Sequence, residues 1–200
     1  MYCDLADAIE DFRSGRFLIL VDDVERENEG DLIVAAEFVT PEKVNLMLRE
    51  ACGMFHFATT EEHLRRLAIP LIDPRNDSGT TPRFGYPFDT LLGTSTGISA
   101  ADRAATILQA LNPDAGPDDF VIPGHVLPLA AHPDGLCGRQ GHTEGSVALS
   151  RLAGLIPAAA MTEVLTPEGA MARGDELAAF ARRVDCRIID IQQIRAAAVT

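Results

Sequence analysis

Two hydrophobic periodicities run through the chain, and each predicts one kind of secondary structure. Apolar side chains recur at helical spacing over residues 4–14, and Gly15 follows as a typical helix end. Two short runs of bulky apolar residues, 17–20 and 32–36, have the length and composition of buried strands. A Thr-Pro pair at 40–41 then predicts the N-cap and first turn of a second helix.

The alternation of helices and strands continues to the C-terminus. The second helix is expected to extend through Ala51 and to end at Gly53, before a strand at 54–59. The later elements are predicted as helices at 60–67, 100–111 and 175–184, a helix that contains Val147 and Leu152, strands at 158–165 and 186–191, and a short C-terminal helix. Residues 73–87, with three prolines and two glycines, are predicted to form the longest loop. This order favours a single α/β (α+β) domain over residues 1–200, layered around a mixed sheet.

The composition argues against several classes of protein. The net charge of −13 disfavours nucleic acid and anionic membranes as partners, and no apolar run reaches the length of a membrane span. The four cysteines show no paired spacing, which argues against a zinc cluster or a disulfide framework. Because the N-terminus is acidic and lacks a signal-peptide core, the chain is expected to be cytoplasmic. Lys43 is the only lysine and lies early in a predicted helix, so Schiff-base chemistry is disfavoured.

An acidic loop, residues 21–31, carries six carboxylates and one cation, Arg26, between the first two predicted strands. Close negative charges repel one another unless positive charge lies among them. Arg26 supplies one such charge, and a divalent cation would supply more. Mg²⁺ prefers one or two carboxylates together with water and substrate oxygens. The acidic loop therefore predicts a metal site, with a solvated surface loop as the alternative.

Three histidines and one glutamate stand out by their positions. His142 lies at the start of a predicted helix, where a positive charge is unfavourable, so its imidazole should be neutral and able to bind metal. His125 follows a Pro-Gly turn, and His56 lies in a predicted strand, where a structural role is the default. Glu163 lies in an apolar strand, so it has a partner or a raised pKa, unless it faces water from an edge strand.

Residues 93–97 form a Gly/Thr/Ser turn in front of the predicted helix at 100–111. Ser99 and Asp102 have the spacing of a capping box, and the N-terminus of that helix is a natural site for an anion. The same turn matches the G-x-S-x-G pattern of hydrolase nucleophiles, with Ser95 as the reactive serine. Because only three positions define that pattern, the hydrolase interpretation is a distant alternative.

Six short motifs follow one another along the chain. They are Asp22-Asp23 followed by Arg26-Glu27-Asn28-Glu29-Gly30-Asp31 in the acidic loop, residues 93–103, Pro123-Gly124-His125-Val126-Leu127-Pro128-Leu129, Arg139-Gln140-Gly141-His142-Thr143-Glu144, residues 152–155 and residues 169–173. In this order they resemble the motifs of the 3,4-dihydroxy-2-butanone 4-phosphate synthase family, over nearly the whole chain. The resemblance implies that family's fold and a metal-dependent lyase of riboflavin biosynthesis, which converts ribulose 5-phosphate to 3,4-dihydroxy-2-butanone 4-phosphate and formate.

The resemblance also implies roles for individual residues. Glu27 and His142 resemble the family's metal ligands, which bind Mg²⁺, with Mn²⁺ and a second ion per site as open alternatives. The residues implied to bind the sugar phosphate are Arg26, Glu27, Asp31, Thr96, Arg139, Gln140, Gly141, His142 and Thr143. The candidate catalytic residues are Glu29, Asp31, His125 and Glu163, together with His56, which adds a titratable group where the family has a thiol. The family works as a homodimer with its active sites close to the subunit interface.

The chain departs from the family pattern near the expected sugar. His56 and Thr162 stand where the family usually has cysteines, and residues 83–88 replace a Thr-x-Phe-Thr-type strand. Ile122 stands where an arginine is usual. Two interpretations follow: the same reaction, or a paralogue that takes ribulose 5-phosphate or a similar ketose phosphate along another route. A sugar-phosphate binder without catalytic activity is a further alternative.

Overall fold

The computed structural model describes residues 2–75 and 81–198. Within these residues the strands are β1 (Leu18–Val21), β2 (Gly30–Ala35), β3 (His56–Thr59), β4 (Arg83–Phe84), β5 (Phe88–Thr90), β6 (Phe120–Ala130), β7 (Ala159–Glu163) and β8 (Arg187–Asp190). The helices are α1 (Leu5–Arg13), α2 (Pro41–Leu46), α3 (Glu61–Arg66), α4 (Ala100–Leu111), α5 (His142–Leu152), α6 (Asp175–Arg183) and α7 (Ile191–Ala198). A π-helical turn, Met47–Ala51, extends α2.

The eight strands of the described residues form one mixed sheet. Its order is β4-β6-β3-β7-β2-β1-β8, and β5 pairs with β6 beside this path. β1 runs antiparallel to β2 and parallel to β8, whereas β3 runs parallel to β6 and antiparallel to β7. The prediction of an α/β fold with a mixed sheet is therefore confirmed.

Helices cover both faces of this sheet. Because side chains alternate along a strand, Ile19 and Leu32 belong to one cluster of buried residues, and Leu18 and Ile33 belong to another. Residues of α2, α4 and α6 complete the first cluster, and residues of α1, α5 and α7 complete the second. Among the described residues, no helix has the length and apolar character that a membrane span requires.

Strand pairing brings polar residues from distant parts of the chain to one end of the sheet. Asp31 near the start of β2 lies opposite Glu163 at the end of β7. His56 at the start of β3 lies opposite Met161 on the other side of β7. The start of α5 approaches the same end, because His142 contacts the Glu29 carbonyl. These elements position the site described below.

The end of the second helical segment differs from the prediction. The backbone enters the left-handed region at Cys52, with φ 64°, one residue before the expected Gly53. Gly53 is required there for another reason, since a Cβ at this position would collide with the backbone and carboxylate of Glu163. The glycine therefore permits a close approach between β7 and the chain that enters β3.

The predicted loop at 73–87 was wrong in part. Arg83–Phe84 pairs with β6 as strand β4, and Leu71 forms an isolated bridge with Gly85. Residues 76–80 of the predicted loop lie outside the described residues. The short strand was missed because two paired residues are too few for a period to be recognised in the sequence.

Candidate active site

The acidic loop is folded around one buried carboxylate. Asp22, whose side chain has no exposed surface, accepts hydrogen bonds from the backbone N–H groups of Glu27 (3.3 Å) and Glu29 (2.9 Å). It also accepts one from Arg26 Nη1 at 2.6 Å, and the same nitrogen contacts Glu27 Oε2 at 2.8 Å. Hydrogen bonds between charged groups are stronger than neutral ones. The backbone of the loop is therefore held in place by Asp22. The alternative prediction of a solvated surface loop was wrong for this residue, because its side chain is buried.

Arg173 holds the same loop from the other side. Its Nε donates to the Asn28 carbonyl at 3.0 Å, and its Nη2 donates to the Glu27 carbonyl and to Glu29 Oε1, both at 3.2 Å. Burial, together with the nearby Glu27 carboxylate, raises the pKa of Glu29. Arg173 thus connects the motif at 169–173, which had no assigned role, to the acidic loop.

Glu27 and His142 form the candidate metal site. Together with Asp22, they offer donor atoms that lie within 4.8 Å of one another. Asp22 already accepts three hydrogen bonds, so the other two residues are the freer donors. His142 Nε2 lies 3.3 Å from the Glu29 carbonyl, and Nδ1 lies 3.9 Å from Asp31 Oδ1. A metal-binding histidine usually donates its second ring N–H to such an oxygen, so this donor set fits a divalent cation.

Arg139 lies three residues before α5 and is held by a buried carboxylate. Its Nη1 contacts Glu144 Oε2 at 2.8 Å, and the other oxygen of Glu144 accepts the backbone N–H of His132 at 2.9 Å. Gly141, the N-cap of α5, lies so close that a Cβ there would collide with the Arg139 guanidinium. A helix N-terminus and an oriented arginine together favour an anion such as phosphate.

Glu163 closes the site at the end of β7. Because β7 lies between β3 and β2, the interpretation of Glu163 as an edge-strand residue was wrong. Its Oε2 accepts the Met54 N–H at 2.8 Å, and its Oε1 lies 3.9 Å from His56 Nδ1. Burial raises the pKa of the neighbouring Asp31 to about 7, although the nearby His142 acts to lower it. Asp31 is therefore able to exchange a proton near neutral pH.

A cavity of about 120 Å³ connects these groups. Its lining includes most of the predicted site: Arg26, Glu27, Glu29 and Asp31 from the acidic loop, Arg139, His142 and Thr143 from the start of α5, and His56 and Glu163 from β3 and β7. A second cavity of about 440 Å³ shares Arg26 and Arg139 with the first and is also lined by Gln140. The structure therefore brings together the acidic loop, the segment from Arg139 to Thr143, and the ends of β3 and β7.

His125 and Thr96 are not among the residues that line these cavities. His125 lies on β6, four residues before the cavity-lining Leu129, which is about 13 Å along an extended strand. Its ring Nδ1 lies 2.6 Å from Asp89 Oδ2, and its backbone N–H donates to Asp89 Oδ1 at 2.9 Å. Thr96 is exposed in the turn before α4. Within one chain, these two predicted site residues lie in a separate cluster.

The turn at 93–97 has an internal carboxylate where an external anion was expected. Asp102 accepts the backbone N–H groups of Ser95 (3.1 Å) and Gly97 (3.0 Å) and the Ser95 hydroxyl (2.8 Å). Ser99 Oγ accepts the Asp102 N–H at 3.0 Å, so one half of the predicted capping box is present. A hydrolase serine is normally activated by a neighbouring base such as histidine. Here the Ser95 hydroxyl is bonded to a carboxylate that holds the turn, which does not support the hydrolase interpretation.

Sequence reasoning assigned no role to three carboxylates that organise these clusters. Asp22 folds the acidic loop, Glu144 anchors Arg139, and Asp89 orients His125. The first two lie inside quoted motifs, so their positions were a usable signal. Asp89 lies in an apolar strand segment, and only the pairing of β5 with β6 brings it to His125.

A model of the 3,4-dihydroxy-2-butanone 4-phosphate synthase family matches residues 6–197. The riboflavin biosynthesis protein RibBA of Aquifex aeolicus is 47% identical over 190 residues, which cover 94% of this chain and 47% of the relative. The 3,4-dihydroxy-2-butanone 4-phosphate synthase of Agrobacterium fabrum is 42% identical over 190 residues, which cover 95% of this chain and 89% of the relative. The chain thus spans about half the length of some curated relatives and most of the length of others.

Solved structures give the same result for the fold. A crystal structure of 3,4-dihydroxy-2-butanone 4-phosphate synthase in complex with two magnesium ions superposes with a TM-score of 0.92. It is 37% identical in sequence and covers 98% of this chain and 96% of its own. The predicted family resemblance is therefore confirmed by both sequence and structure.

Proposed function

The chain belongs to the 3,4-dihydroxy-2-butanone 4-phosphate synthase family, and we propose that it is a lyase that converts ribulose 5-phosphate to 3,4-dihydroxy-2-butanone 4-phosphate and formate. This reaction requires enolisation, loss of the C1 hydroxyl as water, a skeletal rearrangement and release of C4 as formate. The observation that carries the proposal is one cavity lined by candidate metal ligands, an anchored arginine, the buried Asp31 carboxylate and the partly buried Glu29 and Glu163.

Glu27 and His142 would hold Mg²⁺. A carboxylate and an imidazole are suitable ligands for a divalent ion that keeps further positions for water and substrate oxygens. The two magnesium ions of the solved relative support this choice of metal, while Mn²⁺ and a second ion in this chain stay predictions. When bound, the ion would stabilise the negative charge that develops on an enediolate.

The phosphate would bind at the start of α5. Arg139 cannot turn away freely, because its guanidinium is anchored by Glu144 and packed against Gly141. The backbone N–H groups at the helix start, which include those of His142 and Thr143, are the ones that lack partners within the helix. Fixing the phosphate orients the sugar and lowers the entropic cost of each later step.

Asp31 and Glu163 would handle protons along the carbon chain of the sugar. Asp31 titrates near neutral pH because it is buried, so its carboxylate is able to accept a proton from carbon and return it to oxygen. One oxygen of Glu163 is fixed by the Met54 N–H, which leaves the other to face the cavity. Glu29 adds a further carboxylate with a raised pKa to the same cavity.

A homodimer would complete the site, because His125 and Thr96 lie outside the cavity of one chain. His125 is surrounded by an exposed apolar surface on or next to β5, β6 and the turn before α4. The exposed fractions of its side chains are 56% for Leu91, 60% for Leu92, 50% for Ile98, 42% for Val121 and 37% for Ile122. A surface of this kind is typical of a protein interface. A second copy seated there would bring His125 of one chain towards the cavity of the other.

A ¹³C NMR assay tests the proposed reaction. Purified protein is mixed with uniformly ¹³C-labelled ribulose 5-phosphate and MgCl₂, and we expect resonances of formate and of a four-carbon ketone phosphate. Excess EDTA and the variant His142→Ala should each abolish both products, because either change removes the metal site. The variant His132→Ala, which alters a histidine outside the cavity, should retain activity. If His142→Ala still forms formate at the wild-type rate, the assigned metal ligand is wrong.

His56 and Thr162, which stand where the family usually has cysteines, support a second candidate function. Both side chains are buried, and both carry polar atoms without a hydrogen-bond partner among the described residues. Different side chains beside the sugar would favour conversion of the enediolate to a product other than 3,4-dihydroxy-2-butanone 4-phosphate. Metal-dependent consumption of ribulose 5-phosphate without formate in the same assay would establish that alternative route.

A further inference from the structure

The buried His56 ring forms no hydrogen bond of ordinary geometry among the described residues, although the Met54 backbone lies close enough to raise its pKa. Its side chain is 3% exposed, and neither ring nitrogen forms a hydrogen bond within the described residues. Burying an unpaired polar group costs free energy, so buried polar atoms are nearly always paired in folded proteins. Two unpaired nitrogens on one ring therefore point to a partner that binds from outside the chain.

The ring reaches the cavity from the β3 side. His56 is one of the lining residues, with Glu163 at 3.9 Å as the nearest charged group. From β4 it is faced by the Phe84 ring, with 6.0 Å between centroids, and from β6 by its strand neighbour Leu127. The other charged or titratable groups that line the cavity are Arg26, Glu27, Glu29, Asp31, Arg139 and His142. Apolar side chains thus lie against the ring, while Nδ1 faces the Glu163 carboxylate.

We propose that His56 contacts the sugar directly and that His56 and Glu163 form an acid–base pair for the proposed reaction. This inference rests on the proposed function, and it adds a residue that is particular to this chain, because the family usually has a cysteine at this position. The 3.9 Å separation of His56 Nδ1 and Glu163 Oε1 is too long for a hydrogen bond. A substrate hydroxyl between the two groups is able to contact both.

The pair moves one proton without any net change in the protein. A substrate O–H bond breaks as neutral His56 takes the proton, and an N–H bond forms. The adjacent Glu163 carboxylate stabilises the resulting imidazolium. The N–H bond then breaks as the proton passes to the neighbouring oxygen of the enediolate, where a new O–H bond forms and the imidazole is neutral again. The proton that leaves carbon when the enediolate forms is accepted by Asp31, as proposed above. Burial lowers the pKa of His56, although Glu163 and the Met54 backbone act to raise it, so the resting ring is neutral.

NMR of histidine side chains tests the contact independently of turnover. Protein labelled with [¹³Cε1]histidine is titrated with ribitol 5-phosphate and MgCl₂; this probe lacks the carbonyl and cannot enolise. The chain has five histidines, and the spectrum of His56→Gln identifies the resonance of His56. We expect this resonance to shift on binding, and its apparent pKa to fall in Glu163→Gln. A His56 resonance that stays unchanged at saturating probe would overturn the contact.

Kinetics test the acid–base role. We expect His56→Gln to lower kcat about 100-fold with a much smaller change in KM. In the pH–rate profile it should remove the lower of two acidic inflections and leave the one that belongs to Asp31. Glu62→Gln, at an exposed carboxylate on α3, should leave kcat and both inflections unchanged. A purely structural role would lower thermal stability but preserve the lower inflection, and would overturn the proposal. If His56→Gln does not fold, the pKa of His56 in Glu163→Gln decides the question.

The two experiments separate failure of this inference from failure of the proposed function. A wild-type protein that forms no formate contradicts the proposed reaction, whereas the NMR shift with ribitol 5-phosphate still tests the His56 contact. Formate production with an unchanged kcat in His56→Gln supports the reaction and rejects the acid–base pair.

Discussion

The Asp89 carboxylate holds the His125 imidazole in one orientation. Oδ2 of Asp89 lies 2.6 Å from Nδ1 of His125, and Oδ1 accepts the His125 backbone N–H at 2.9 Å. Gly97 and Gly124 lie against Asp89 so closely that a Cβ at either position would collide with it. Nε2 has no hydrogen bond within the described residues, and the side chain is 41% exposed. The contact with Asp89 therefore leaves Nε2 as the nitrogen that His125 presents at the surface.

Asp89→Asn should slow the reaction while the fold is retained. An amide can donate to Nδ1, which would change the ring tautomer that the carboxylate selects. We expect kcat to fall about 10- to 100-fold, with KM within about threefold of the wild type, as measured by formate release. Asp114→Asn, at an exposed carboxylate, serves as the control. Equal kcat values for Asp89→Asn and the wild type would show that the orientation of His125 is unimportant.

Mixing two inactive variants should restore activity if the site is shared between subunits. His125→Ala and His142→Ala are each expected to be inactive. After a mixture of equal amounts is unfolded and refolded, half of the dimers carry one chain of each kind, and one of their two sites is intact. Activity should therefore return to about a quarter of the wild-type value.

Sedimentation equilibrium of the wild type provides the independent check on this experiment. A dimer is expected, and charged substitutions at Leu92 and Val121 on the exposed apolar surface should shift it towards monomer. A monomeric wild-type protein with full activity, or a mixture with no recovered activity, would contradict the shared site.

Glu144→Gln should weaken both stability and phosphate binding. The Glu144 side chain is 1% exposed and lies 2.8 Å from Arg139, and removing one partner of a buried ion pair leaves the other charge uncompensated. We expect the free energy of unfolding in urea to fall by about 3 kcal/mol and KM to rise more than kcat falls. Glu62→Gln, on an exposed face of α3, is the control. An unchanged KM would show that Arg139 does not bind the phosphate.

Stability should fall in acid partly because of His56. Burial lowers the pKa of His56 below its value in the unfolded chain, about 6.5. As the pH falls through this range, the unfolded state binds the proton first, so the free energy of unfolding decreases. Urea denaturation at pH 7.5 and 5.5 should show a larger loss for the wild type than for His56→Gln. Equal losses in the two proteins would mean that His56 titrates normally in the folded state.

Local patterns determined much of the fold and part of the site. The period of α1, the N-caps of α2 and α3, and the two strands that flank the acidic loop depend on residues within a few positions of one another. The six motifs identified the family, and the family then implied Glu27 and His142 as metal ligands. The single-domain organisation, the cytoplasmic location and the individual residue roles stay predictions.

Tertiary structure alone decided what surrounds the predicted residues. Asp31 meets Glu163 only because β2 and β7 are paired across more than a hundred residues, and this pairing also makes β7 an interior strand. Within the described part of the chain, the folded sheet leaves the His56 nitrogens without a hydrogen bond of ordinary geometry. It also places the His125 ring against Asp89, away from the cavity. Hydrophobic periodicity records which face of an element is buried, but not which partner covers it. Burial, unmet hydrogen bonds and shifted pKa values depend on that partner, so they emerge only when the sheet is assembled.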